Sequence, residues 1–369
     1  MRSNDGRVIG FNNIELISDR PLQTNLDEMR QCKKDWPDRA IIASVMLPLN
    51  EATWAKHIPM IEDTGIDGFE LNFGCPHGMS ERGMGSAMGQ VPEYVQQATE
   101  WCKKYATKPV IVKLTPNITN IIHPATAALN GGADAVSLIN TINSIMRVDY
   151  DSLNMYPTTG GMGSHGGYCG EAVKPIALNM VAEIARTAET RSLPISGIGG
   201  VTNWKDAVDF IALGASNVQV CTAAMVYGFH IVDDLIDGLS RFLDDKEMTL
   251  DQLVGRAVPS VTDWKNLNLN HVDKAVIDQD KCISCGRCHI ACEDTSHQAI
   301  THLVDGVRKF EVMEEECVGC NLCVTVCPVE ECITMVSKAP GEIDLRTQRP
   351  VRAEHADWTT HPNNPMRIS

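Results

Sequence analysis

Cys282-Ile-Ser-Cys285-Gly-Arg-Cys288-His-Ile-Ala-Cys292 and Cys317-Val-Gly-Cys320-Asn-Leu-Cys323-Val-Thr-Val-Cys327-Pro328 share one spacing, C-x2-C-x2-C-x3-C. In such a run three thiolates wrap one face of a cubane, and the fourth cysteine reaches across to a neighbouring cluster. The spacing predicts two [4Fe–4S] clusters. Cys282, Cys285, Cys288 and Cys327 hold one; Cys317, Cys320, Cys323 and Cys292 hold the other. Zinc is the alternative, but zinc sites pair two C-x2-C units rather than three cysteines at double spacing plus a fourth. The first run has Glu293 where the second has Pro328, which alters the turn and not the ligand number. Cys332 has no ligand slot and reads as packing. Two adjacent clusters carry single electrons and bind no organic substrate, so this module is a wire.

The other five cysteines, Cys32, Cys75, Cys102, Cys169 and Cys221, are scattered. Isolated thiols without an export signal fit a reducing compartment, where a dense cysteine knot means metal rather than disulfides. The N-terminus has no apolar core behind its charge, and no apolar run approaches a membrane span. A net charge of −15 repels nucleic acid and anionic membrane, so neither is an expected partner. The expectation is a soluble, cytoplasmic protein. With 369 residues, 43% of them hydrophobic, the chain has apolar material for one large core besides the cysteine module.

Residues 1–245 alternate short apolar runs with amphipathic stretches. The strand candidates are 41–46, 69–73, 110–115, 135–140, 194–199 and 217–222. Helices are expected over 174–190, with Ala177, Met180, Val181 and Ile184 on one face, and over 229–244, with Ile231, Leu235, Leu239 and Phe242 at helical spacing. Repeated β-then-α with continuously apolar strands gives a parallel sheet covered by helices. Polar residues at the strand C-termini favour a closed barrel over a doubly wound sheet: Asn72 and Cys75, Lys113 and Thr115, Asn140 and Thr141, Gly199 and Gly200, Cys221 and Thr222. Glycines and small residues in Ser196-Gly-Ile-Gly-Gly200 and Val220-Cys-Thr-Ala-Ala224 let backbone N–H groups approach a phosphate. The Gly-rich segment 160–170 is placed to close over it. That segment also matches G-x-G-x-x-G over 161–166, but no strand precedes the match and no helix starts inside it, so it is not a dinucleotide site.

A barrel phosphate site wired to clusters suggests FMN, which converts two-electron chemistry into single-electron steps. Lys113, on an otherwise apolar strand, would point a cation at the flavin; the alternative is a salt-bridged barrel lysine. The segment 72–85, Gly-punctuated after its strand, reads as a mobile lid. Cys75 is its candidate proton donor, with His77 tuning it; a buried thiol and a solvated imidazole are the alternative. Asn13, Asn72 and Asn140 suit a planar amide-bearing ligand.

These residues in this order closely resemble the catalytic subunits of bacterial NAD-dependent dihydropyrimidine dehydrogenases. The resemblance rests on Asn13-Ile-Glu15-Leu-Ile17-Ser, Asn72-Phe-Gly-Cys75-Pro-His77-Gly-Met, Glu81-Arg-Gly-Met-Gly85, Lys113-Leu-Thr-Pro-Asn117, Asn140-Thr141, Gly197-Ile-Gly-Gly200 and the two cysteine runs. It implies reversible reduction of the 5,6 double bond of uracil or thymine, an oxidoreductase acting on a CH–CH bond. Reduced FMN would give hydride to C6 and Cys75 would protonate C5, assisted by His77. It implies that Asn13, Glu15, Ile17, Asn72, Phe73, Gly74, Asn140 and Thr141 surround the substrate. Lys113, Gly170, Ile198, Gly199, Gly200, Cys221 and Thr222 would contact FMN. NAD and FAD would sit on a partner flavoprotein subunit, in a hetero-oligomer.

The same resemblance implies a (β/α)8 barrel followed by a small α+β bacterial-ferredoxin-like domain. Six strand candidates fall short of eight, so the expectation is a barrel missing its first β-α-β unit, in a chain whose natural start lies upstream. The chain also resembles the C-terminal half of the single-chain mammalian enzyme, and Gly74 stands where that enzyme has Ser, removing a hydroxyl near the substrate. The expected organisation is an FMN-binding barrel over 1–245, a linker over 246–275, the two-cluster domain over 276–338 and an extension over 339–369. Two rival readings stand beside this one: a dihydroorotate dehydrogenase-like enzyme, and a non-catalytic iron–sulfur carrier whose barrel holds no FMN.

Overall fold

The protein was analysed as a computed structural model, which describes residues 6–14, 20–76, 83–295 and 297–366. It divides into two compact units, one ending at Val261 and the other beginning at Thr262.

In the first unit, strand β1 (Phe11–Asn13) precedes helix α1 (Leu22–Asp35). Then β2 (Ile42–Val45), β3 (Gly68–Asn72), β4 (Val110–Lys113), β5 (Ala135–Leu138), β8 (Ile195–Ile198) and β9 (Asn217–Gln219) form one sheet in the order β9-β8-β5-β4-β3-β2. Every neighbouring pair is parallel. Helices α2 (Glu51–Glu62), α3 (Pro92–Tyr105), α4 (Ile122–Asn130), α5 (Lys174–Arg186) and α6 (Trp204–Ala212) connect them, and α7 (Thr222–Tyr227) and α8 (Ile231–Asp245) follow the last strand. These are the six strands read from the sequence. Between β5 and β8, β6 (Ile142–Ser144) and β7 (Gly166–Cys169) join β1 in a separate antiparallel sheet, β1-β7-β6. The 161–166 glycine pattern therefore runs into a strand.

Side chains alternate across a strand. Phe69, Leu71, Val110, Val112, Val136 and Leu138 are fully buried and belong to the core with Trp54, Ile58, Val95, Ala125 and Ala177 of the helices. Glu70, Lys113, Ser137, Ser196 and Gln219 share the other, concave face, where they hydrogen-bond one another. Gln219 Nε2 donates to Glu70 Oε1 at 3.0 Å although β9 and β3 are four strands apart. In a flat sheet that separation is about 19 Å. The sheet is therefore curled as a barrel curls, and among the described residues it is an open arc with β2 and β9 at its edges.

The second unit has β10 (Asp273–Ile277) paired antiparallel with β11 (Ile333–Ser337), and two helices, α9 (Arg287–Asp294) and α10 (Leu322–Val326). Each helix follows a residue with left-handed backbone, Gly286 or Asn321, inside its cysteine run. The helices end differently for the reason visible in the sequence. Glu293 lets α9 continue past Cys292, while Pro328 follows the Cys327 cap of α10.

The segment 246–275 is divided between the units rather than forming a linker of its own. Thr249 and Gln252 make a capping box, and the N–H groups of Gly255 and Ala257 donate to Ile211 and Ala212 of the first unit. Residues 262–272 pack with the C-terminal extension: Trp358 N donates to Lys265 O at 3.0 Å, and the Trp264 and Trp358 rings lie 5.9 Å apart. That extension is ordered around a hairpin of Ile343–Asp344 and Arg349–Pro350. Among the described residues no helix is long and apolar enough to cross a membrane.

Gly197 in β8 shows how closely the outer layer packs. A Cβ there would lie 2.6 Å from the Phe210 ring of α6. Gly197→Ala is therefore expected to destabilise the first unit by roughly 1–3 kcal/mol, read as a lower urea midpoint with an unchanged slope.

Candidate active site

The concave face opens into a cavity of about 530 Å³. Its wall includes Lys113 from β4, Asn140 and Thr141 after β5, Gly170 after β7, Ile198, Gly199 and Gly200 at the end of β8, and Cys221 and Thr222 after β9. Asn13 of β1 also lines it. Gly199 and Gly200 have φ of +127° and +78°, conformations that favour glycine, so the backbone itself turns along the wall. All seven residues read as flavin contacts thus border one cavity.

Asn72 is reached through Asn140, whose Nδ2 donates to Asn72 Oδ1 at 2.8 Å. Gly74 packs against the same amide: a Cβ there would lie 2.3 Å from Asn140 Cβ. Its lack of a side chain makes room for Asn140 rather than removing a hydroxyl. Phe73 departs from the sequence reading. Its ring is 1% exposed and packs edge-on against Trp54 at 6.5 Å, so its side chain belongs to the core. Cys75 is half-buried, and its carbonyl accepts from Ser86 N at 2.9 Å; it is not part of the cavity wall. Glu15, Ile17 and His77 lie outside the described residues.

Beneath Lys113 is a network that the sequence reading did not identify. Lys113 Nζ pairs with Glu70 Oε2 at 3.2 Å. Ser137 Oγ donates to Glu70 Oε1 at 2.7 Å, and Gln219 Nε2 also donates to Ser196 Oγ at 3.0 Å. Burial would push the Glu70 carboxyl up, but the Lys113 charge and the bonds from Gln219 and Ser137 outweigh it and hold it below its ordinary value. Both readings of Lys113 are therefore met together: it is salt-bridged and it faces the cavity. The available signal was Glu70 two residues before Asn72, on the same strand face.

The cavity fits FMN by three features of the structure. Its volume is in the range of small-molecule sites. It offers one cation, several amides and a glycine-turned wall. The Asn12 amide on that wall is buried with no partner for either atom among the described residues, as expected where a polar ligand completes the bonding.

In the second unit Cys282, Cys285, Cys288 and Cys327 border one small apolar cavity, and Cys292, Cys317, Cys320 and Cys323 border another. These are the two quartets read from the sequence. Cys332, 2% exposed, stands at the first cavity with Ile277, Phe310 and Ile333. Burial, with the neighbouring sulfurs of Cys317 and Cys320, pushes the Cys323 thiol up to about 11. A cationic iron–sulfur core is the group that ionises it.

Residues 8–243 match the family model for dihydroorotate dehydrogenase, and residues 275–335 match the 4Fe-4S dicluster domain. The NAD-dependent dihydropyrimidine dehydrogenase subunit PreA of Escherichia coli (strain K12) is 41% identical over 326 residues, covering 88% of this chain and 79% of that protein. This chain belongs to the dihydropyrimidine dehydrogenase subunit family. Within the wider family, the chloroplastic dihydropyrimidine dehydrogenase (NADP(+)) of Arabidopsis thaliana is 44% identical over 266 residues, 70% of this chain and 62% of that one. The dihydroorotate dehydrogenase B (NAD(+)) catalytic subunit of Pyrococcus abyssi is 36% identical over 63% of this chain and 73% of that one. The fold itself is shared with the dihydroorotate dehydrogenase of Eimeria tenella solved with ferulenol, at a TM-score of 0.54 and 19% identity, covering 67% of this chain and 71% of that one.

Two expectations follow from this geometry. Gly74→Ser forces Asn140 off Asn72 and weakens pyrimidine binding while FMN content stays unchanged, checked by substrate titration. Glu70 contributes stability above its unfolded value of 4.5 that is lost as pH falls through its lower folded value. Glu70→Gln lacks that term, so its unfolding free energy varies less steeply with pH below 4.5 than that of the wild type, checked by urea titrations across pH.

Proposed function

We propose that this chain is the pyrimidine-reducing subunit of a two-part dihydropyrimidine dehydrogenase. It interconverts uracil or thymine and the 5,6-dihydro compound, exchanging electrons with NADH through a separate flavoprotein that binds FAD and NAD. The observation that supports this best is the convergence of Lys113, the amides Asn13 and Asn140, Thr141 and the Gly199–Gly200 turn on one cavity, in a chain that also carries two cysteine quartets.

FMN, when bound, would supply hydride chemistry at C6 of the pyrimidine, replenished by single electrons that arrive through the clusters. Cys75 delivers the proton to C5 and takes it back in the reverse direction, with His77 assisting. Asn13, Asn72, Asn140 and Thr141 match the alternating carbonyls and N–H groups of the ring, since each amide both donates and accepts. The Asn72–Asn140 bond fixes which way these amides face. By resemblance to the family, Glu15 and Ile17 would border the ring. Gly170, Ile198, Gly199, Gly200, Cys221 and Thr222 would cradle the cofactor, and Lys113 would set a positive charge toward it.

The 41% identity to PreA extends over 88% of this chain, whereas the dihydroorotate dehydrogenase B relative matches 63% of it. That difference favours a pyrimidine without a carboxylate as substrate over dihydroorotate.

Anaerobic co-purification with the flavoprotein partner tests the reading. The expected result is FMN, about eight iron and eight sulfide per chain, and NADH-dependent loss of uracil without oxidation of dihydroorotate. Cys75→Ala should lower kcat by about 10²–10⁴-fold with FMN retained. Loaded FMN and clusters with no uracil turnover would contradict the proposal.

A further inference from the structure

A lysine is buried against one cysteine loop. Lys274 sits on β10 beside Ala275, which lines the cavity of Cys292, Cys317, Cys320 and Cys323. Its side chain is only 6% exposed. Its Nζ donates to the carbonyl of Cys317 at 2.7 Å and to that of Glu314 at 3.1 Å, and it pairs with Asp344 Oδ1 at 2.8 Å. An ammonium has three donors, and these three acceptors use them all.

Asp344 comes from the C-terminal hairpin and is 8% exposed. The Thr347 hydroxyl donates to it at 2.9 Å and the Arg346 N–H at 3.2 Å. Burial would push its carboxyl up, but Lys274 and these bonds hold it below the usual carboxylate range. A buried ion pair of this kind is a poor source of net stability, because desolvation offsets much of the attraction. A fixed charge beside a redox centre has another effect. Cluster potentials respond to local net charge and hydrogen bonding, and a cation in low dielectric favours the state carrying the extra electron.

We propose that Lys274 is the cation that sets the reduction potential of the cluster on the Cys317 loop, and that Asp344 is the counter-charge that holds it there and limits its effect. This rests on the reading that Cys292, Cys317, Cys320 and Cys323 hold a [4Fe–4S] cluster. It makes the C-terminal extension part of the electron path, because the extension supplies the charge that balances the lysine. Both are positioning residues, since neither ligates iron.

The test is an EPR-monitored redox titration of the full chain, with the other cluster as internal reference and iron and sulfide measured for each variant. Asp344→Asn leaves the cation unbalanced and should raise the ratio of reduced to oxidised cluster at fixed potential by about tenfold, a shift of about 59 mV for one electron. Lys274→Met should move it comparably in the opposite direction. Lys274→Arg retains the cation and should keep the wild-type potential, and the Lys274→Met/Asp344→Leu double variant should return near it. The reference cluster should move by less than half as much. Single variants within twofold of wild type at full iron and sulfide would overturn the proposal. So would Lys274→Arg shifting as far as Lys274→Met, or both clusters shifting equally. If one single variant does not load its clusters, the other decides by the same criteria. Absence of acid-labile sulfide from the wild-type chain would overturn the cluster reading itself, before any variant is compared.

Discussion

A carboxylate in the concave face of the sheet organises the catalytic unit. Glu70 on β3 receives Lys113 from β4, Ser137 from β5 and Gln219 from β9, so one side chain ties together strands from the middle of the sheet to its edge. A buried carboxylate is costly unless its oxygens are satisfied. Here Lys113 satisfies one oxygen and Ser137 the other, and the curl of the sheet brings Gln219 of β9 to Glu70 as a further donor. The curl in turn creates the hollow that the cavity occupies. Lys113 is the group through which this network reaches the ligand: it is neutralised from below and exposed to the cavity from above.

The two units divide the chemistry by the kinds of group each can offer. The first presents amides, a cation and glycine-turned backbone, which suit a planar cofactor and a planar substrate. The second presents thiols in small apolar cavities, which suit a cationic iron–sulfur core. A flavin joins these regimes because it exchanges electrons in pairs with an organic substrate and singly with a cluster. The pattern explains why a chain with two cysteine quartets and no nucleotide fingerprint fits a family whose relative is named as a subunit.

Much of this was legible in the sequence because the signals were periodic. Six apolar runs separated by amphipathic stretches became the six strands, and the cysteine spacing foretold the pairing of Cys327 with the first loop and Cys292 with the second at their cavities. What escaped was set by neighbours distant in sequence. Glu70 reads as an interruption of an apolar run until Lys113, Ser137 and Gln219 are placed beside it. Phe73 sits in a motif dense with site residues, yet strand alternation turns it into the core against Trp54. Gly74 has a packing role that only the position of Asn140 reveals. The polar stretch 246–275 looked like a linker because its partners, Ile211 and Ala212 on one side and Trp358 on the other, lie far away in the chain.

Lys113, anchored by Glu70, is proposed to hold a positive charge against bound FMN. The decisive measurement is the reduction potential of the flavin in Lys113→Met, compared with the wild type at equal FMN content. The expected potential is lowered by the equivalent of at least a tenfold loss in stability of the anionic reduced flavin. An unchanged potential in a variant that still binds FMN fully would contradict it.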